Sequence, residues 1–146
     1  GYVYSLQYHL VWCTKYRKKV LKNGIDTECE EMLQNLAEEY KFQILAMEVM
    51  PDHIHLLVEI PPKMSVSQFM GYLKGKSSLM IFDRHANLKY KYGSRHFWAR
   101  GYYVDTVGRN KKAIKAYIAN QLQEDKIADQ ISIKEFTDPF TGSKQT

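Results

Sequence analysis

Eight consecutive residues, from His53 to Ile60, sit between two proline-marked stops that leave this chain little choice of local structure. Pro51-Asp52 precedes them as a tight turn. Pro61-Pro62 follows, where the missing backbone N–H groups end any strand ladder. The stretch HIHLLVEI is short for a helix and long enough for a strand. Side chains of a strand alternate between two faces. Ile54, Leu56, Val58 and Ile60 therefore share an apolar face, and His53, His55, Leu57 and Glu59 share the other. Two imidazoles at i and i+2 can reach one ion, so the stretch reads either as a core strand that carries histidine or as half of a metal site.

The neighbouring segments arrange themselves around this strand. YSLQYHLVWC (4–13) places Tyr4, Leu6, Tyr8, Leu10 and Trp12 on one face and reads as a first strand, with His9 a structural histidine opposite that face. The basic stretch KYRKKVLKNG leads to an Asn23-Gly24 turn. Asp26 is the expected N-cap of a helix running to about Tyr40, with Met32, Leu33, Leu36 and Ala37 at helical spacing. KFQILAMEVM (41–50) reads as a second strand, joined to 53–60 in a hairpin. A second helix is expected from about Ser65 to Phe82, a fourth strand over 101–107, and a third helix through KKAIKAYIANQLQEDK. A flexible tail is expected from about residue 137. The order β-α-β-β-α-β predicts an α+β, ferredoxin-like fold in a single domain spanning 1–146, with two helices on one face of the sheet and the other face open.

Composition narrows the function classes. The chain has 146 residues, enough for a real core, and no apolar run near the ~18 residues that span a bilayer. Its start lacks the basic segment and small-residue cleavage site of a signal peptide, and Cys13 and Cys29 form no CxxC pair, so a reduced, cytoplasmic protein is expected. The net charge of +5 is unevenly spread: residues 1–24 carry five bases and no acid, and residues 84–112 carry eight bases against Asp105 alone. Both basic blocks are interleaved with tyrosines, a pattern suited to single-stranded nucleic acid, whose backbone attracts cations and whose bases stack on rings. Arg17, Lys18, Lys19, Lys74, Lys76, Arg95 and Arg100 are the candidate backbone contacts; taken singly, each also reads as an ordinary surface charge.

Two histidines make an incomplete site, and the last helix offers the supplement. Tyr117 and Gln121 are i and i+4, one turn apart, beside an apolar stripe of Ile114, Ile118 and Leu122. The carbonyl oxygen of Gln121 can serve as a third ligand and the phenol of Tyr117 as a nucleophile. Spacing alone equally allows a packing tyrosine at the edge of a core stripe. Two imidazoles and an amide oxygen lean toward manganese or a similar borderline ion. Zinc is the alternative, and it would need a further ligand such as Cys13.

His53-Ile54-His55 followed by Tyr117-Ile-Ala-Asn-Gln121 resembles the single-tyrosine, histidine–hydrophobic–histidine transposases of small bacterial insertion sequences, of the IS200-like type. The likeness extends to YHLVWCTKYRKKV, PDHIHLLVEIPPKMSVSQFMGYLKGKSS and FWARGYYVDTVG, and covers residues 2 to about 126. It implies a magnesium or manganese ion held by His53, His55 and Gln121, with Tyr117 attacking single-stranded DNA. The implied products are a 5′-phosphotyrosine link and a free 3′-hydroxyl, followed by strand transfer. It also implies DNA hairpins near the element ends, and a homodimer in which Tyr117 acts in trans.

Two stretches suggest other chemistry. GYLKGKSS (71–78) imitates a phosphate loop, but Gly71 and Gly75 are one residue too close and the stretch lies within an expected helix. RGYYVDTV (100–107) partly matches the RNA-binding signature of a non-catalytic RNA-recognition module, which shares this fold; Tyr103 and Asp105 depart from it. A domesticated relative acting on chromosomal hairpins would carry the same residues as a transposase. His85 and His96 read as surface residues or DNA contacts.

Overall fold

The computed structural model describes residues 6–88 and 96–107. Four strands, β1 (Leu6–Cys13), β2 (Gln43–Val49), β3 (His53–Ile60) and β4 (Tyr103–Val107), form one antiparallel sheet in the order β2-β3-β1-β4. Two helices, α1 (Ile25–Tyr40) and α2 (Val66–Arg84), complete the expected β-α-β-β-α-β order. The expected third helix, with Tyr117 and Gln121, lies outside the described residues, as do Arg95 and the tail from about 137.

The helices and one face of the sheet share a core. Leu10 and Trp12 of β1 and Ile54, Leu56, Val58 and Ile60 of β3 pack with Met32, Leu33 and Leu36 of α1 and Phe69, Leu73, Ile81 and Phe82 of α2. Burying these side chains on one face fixes the strand register, because a slip of one residue would turn them all outward. His9 pairs across β1–β3 with Leu57, Val11 with His55, and Cys13 with His53, so all six share the face away from the helices.

Local signals account for the helix starts. Ser65 caps α2, accepting from Gln68 N at 3.1 Å while Gln68 Oε1 accepts from Ser65 N at 3.2 Å, a reciprocal capping box. Gly71 to Ser78 lie within α2, so the phosphate-loop look-alike is ordinary helix. At α1 the expectation of Asp26 as N-cap needs correction. Asn23 and Gly24 turn with φ of +55° and +97°, which puts Gly24 at the cap, and Asp26 falls in the first turn. Its carboxylate there accepts from Gly24 N at 3.1 Å and faces the positive end of the helix dipole.

The segment before β4 is tied to both layers. Ala99 N donates to Cys13 O and Lys15 N to Phe97 O, each at 2.9 Å. Trp98 Nε1 donates to Ser77 Oγ at 2.9 Å, and Ser77 in turn donates to Leu73 O. Lys74 Nζ donates to Ala99 O at 2.6 Å and to Gly101 O at 3.0 Å. Lys74, a candidate DNA contact by sequence, is thus a brace that holds the approach to β4 against α2. Lys19, Lys76 and Arg100 are exposed, and Lys18 is half-buried. No helix among the described residues is long and apolar enough to cross a membrane.

Candidate active site

The face expected to be open is closed at its centre. His9 is 0 % exposed and His53 and His55 are each 1 % exposed. Nearby, Val11, Cys13 and Ala99 form one hydrophobic cluster with Tyr103, and Leu57 another with Leu45, Ala46 and Val107. The histidine pair is therefore set in a shielded, low-dielectric layer, where hydrogen bonds and charges act more strongly than at a wet surface.

His53 and His55 lie side by side, their ring centroids 5.1 Å apart with the rings 71° from coplanar. Each uses Nδ1 for a side-chain partner, His53 from the residue before it and His55 from β1. His53 Nδ1 donates to Asp52 Oδ1 at 2.7 Å. Asp52 Oδ2 accepts from Arg17 Nε at 3.1 Å, so a guanidinium, a carboxylate and an imidazole form one line. His55 Nδ1 lies 3.0 Å from His9 Nε2, with the two rings stacked 15° from parallel. With both Nδ1 atoms committed, the Nε2 atoms of His53 and His55 are buried nitrogens with no hydrogen bond among the described residues.

The turn that carries Arg17 explains how it reaches Asp52. Lys15–Arg17 form a short 3₁₀ turn in which Tyr16 and Arg17 take φ of +56° and +50°, a left-handed conformation that bulky side chains adopt at a cost. The turn is stapled to the hairpin between β2 and β3. Thr14 N donates to Asp52 O at 3.0 Å, Thr14 Oγ1 donates to the same oxygen at 3.2 Å, and Leu21 N donates to Pro51 O at 2.9 Å. Arg17, a candidate DNA contact by sequence, is thereby placed on Asp52, behind the histidines.

Burial lowers the pKa of His55 to about 3, assisted by the neighbouring His53 and His9. Burial likewise lowers His9 to about 4, against the opposing effect of Asp105. Both rings are neutral at pH 7, the form in which an imidazole offers a lone pair to a metal. A metal-binding histidine typically gives its other ring nitrogen to a carboxylate or similar partner, and His53 with Asp52 matches that arrangement. Among the described residues no three His, Cys, Asp or Glu side chains group to hold a metal. Cys13, although paired with His53 across the strands, does not complete a zinc set with the two histidines there.

Asp52 and His9 are the residues that sequence reasoning passed over, one as part of a turn and the other as structural. Both left a trace: Asp52 directly precedes the first histidine, and residue 9 has the same strand parity as 11 and 13.

Residues 2–121 match the family described as transposase IS200 like, a range that contains Tyr117 and ends at Gln121. The chain belongs to the IS200-like transposases. As a member of that family it is 50 % identical over 141 residues to the transposase for insertion sequence element IS200 of Salmonella typhimurium, a match covering 97 % of this chain and 93 % of the relative. It is 38 % identical over 122 residues to the ISDra2 transposase of Deinococcus radiodurans, covering 83 % of this chain and 87 % of that one. A crystal structure of a candidate transposase from Deinococcus radiodurans R1 superposes with a TM-score of 0.69 at 38 % identity, covering 83 % of this transposase and 94 % of that chain. A REP-associated tyrosine transposase bound to a REP hairpin shares the fold, with a TM-score of 0.56 at 14 % identity over 84 % of this chain and 71 % of that one. Membership of a transposase family replaces the RNA-recognition reading of RGYYVDTV, whose residues 103–107 form the edge strand β4.

Proposed function

We propose that this chain is a metal-dependent, single-tyrosine transposase of single-stranded DNA, cutting hairpin-bearing element ends and rejoining them elsewhere. The observation that carries the reading is the pair of buried Nε2 atoms on His53 and His55, each backed through Nδ1 by a fixed partner. His53, His55 and Gln121 would hold magnesium or manganese, which when bound polarises the scissile phosphate and stabilises charge on its oxygens. Tyr117 attacks phosphorus; the P–O3′ bond breaks, leaving a 5′-phosphotyrosine and a free 3′-hydroxyl. A second 3′-hydroxyl then displaces the tyrosine. Each step exchanges one phosphodiester for another and consumes no nucleotide. The exposed Lys19, Lys76 and Arg100, with Lys18 and Arg95, serve as backbone contacts along the DNA. Two copies assemble so that the segment bearing Tyr117 completes the histidine pair of the partner. Family membership and the order of the motifs support this reading.

The test is a covalent trap. Labelled single-stranded DNA from the element ends, mixed with the protein and Mn²⁺, should give a protein–DNA band that survives denaturing electrophoresis and disappears with a chelator. Confirmed DNA binding without such a band would refute the mechanism.

Asp52→Ala probes the support of His53. It removes the acceptor of His53 Nδ1 and the partner of Arg17, but keeps the backbone oxygen to which Thr14 is stapled. Mn²⁺ affinity, read by titration of the metal alone, should drop ~10–100-fold, the usual effect of losing an outer partner of a ligand. An unchanged affinity would show that Asp52 does not orient the ring.

A further inference from the structure

Given the metal reading above, on which this inference rests, the contact between His9 and His55 has a consequence of its own. One proton is shared between His55 Nδ1 and His9 Nε2, 3.0 Å apart. If His9 Nε2 donates, neutral His55 carries its proton on Nε2 and has no lone pair there for a metal. If His55 Nδ1 donates, Nε2 of His55 is a ligand and His9 carries its own proton on Nδ1. The two arrangements have the same heavy-atom geometry and opposite chemistry.

We propose that His9 is a positioning residue that accepts the Nδ1 proton of His55, so fixing its ring and its tautomer with the Nε2 lone pair available to metal. The stacking of the rings, 5.3 Å between centroids, restrains rotation of His55 about its own axis. The Tyr103 ring of β4, its centroid 5.8 Å from that of His9 and 68° from coplanar with it, packs against His9. Asp105 stands opposite His9 in the β1–β4 register. A ligand lone pair on His55 Nε2 requires the proton on His55 Nδ1, so His9 Nε2 accepts it across the 3.0 Å contact and His9 keeps its own proton on Nδ1. His9 touches neither the DNA nor the metal; it acts through His55.

The test reads the tautomer directly. In the full-length ¹⁵N-labelled protein without metal, long-range ¹H–¹⁵N correlations of the histidine rings distinguish the two protonation patterns, with His55 assigned by its loss in His55→Asn. His55 is expected to be protonated on Nδ1. His9→Gln retains an acceptor and should keep that pattern and most of the Mn²⁺ affinity. His9→Leu fills the space but cannot accept, and should lose the single pattern together with ~10–100-fold in Mn²⁺ affinity. Wild-type His55 protonated on Nε2 overturns the proposal without any variant. A His9→Leu protein with wild-type tautomer and affinity also overturns it, and leaves the metal reading intact. A wild-type chain that takes up no Mn²⁺ overturns the metal reading and, with it, the role of His9.

Discussion

Tyr117→Phe should eliminate the covalent protein–DNA product while leaving DNA affinity as it is in the wild type. The substitution removes one oxygen and keeps the ring, so any contribution of Tyr117 to packing at the edge of the Ile114, Ile118 and Leu122 stripe survives. An unperturbed phenol, with a pKa near ~10, is mostly protonated at neutral pH, so in the proposed mechanism the attack would rely on the bound cation to favour the phenolate. Loss of a nucleophile is among the largest single-residue effects in covalent catalysis, and the fall in cleavage rate should be on the order of 10⁴-fold or more. Two measurements decide the point: labelled single-stranded DNA on a denaturing gel, and affinity on a native one. Cleavage that persists in Tyr117→Phe sinks the assignment of the nucleophile. Loss of both cleavage and binding would mean that Tyr117 acts in holding DNA.

Much of the fold was legible because its boundaries are written in residues with strong local rules. β3 begins and ends where Pro51-Asp52 and Pro61-Pro62 require, and the β2–β3 hairpin follows from the short turn between them. α2 starts after Ser65, whose side chain has a partner three residues on. The start of α1 was misread because an Asp near a helix start is a good cap by propensity, while the Asn23-Gly24 turn had already placed Gly24 there. The turn at Lys15–Arg17 has no glycine to announce its left-handed residues. Its shape is imposed by Thr14 and Leu21 bonding to the distant Pro51-Asp52 turn.

The site was legible in part for a similar reason. Alternation places His53 and His55 on one face using nothing beyond β3 itself. His9 required the register between β1 and β3, which brings residue 9 diagonally beside residue 55, and no local pattern encodes that register. Asp52 and Arg17, 35 positions apart in the chain, meet only after the chain between them has closed. Charge counts read Arg17 as surface because they carry no information about partners. The same holds for Lys74, whose amino group donates to two backbone carbonyls that charge counts do not reveal.

His53→Ala should abolish Mn²⁺ binding at concentrations that saturate the wild type, a larger effect than that of Asp52→Ala because it removes the proposed ligand and not its support. The expected loss in affinity exceeds ~100-fold, the upper end for an outer partner. The fold should tolerate the change, since Asp52 keeps Arg17 and the backbone bond from Met50 N to His53 O, at 2.8 Å, closes the hairpin regardless of side chain. A folded variant that still binds Mn²⁺ as the wild type does would remove His53 from the ligand set. The same variant also tests the assembly. Mixed with Tyr117→Phe, each protein supplies what the other lacks. If Tyr117 serves the partner's histidines, a mixed dimer contains one intact site and cleavage returns. If Tyr117 serves its own histidines, every site in the mixture carries one defect and cleavage stays absent. Recovery of the covalent band on mixing therefore requires sharing between subunits, and its absence, with exchange of subunits confirmed, places the whole site within one chain.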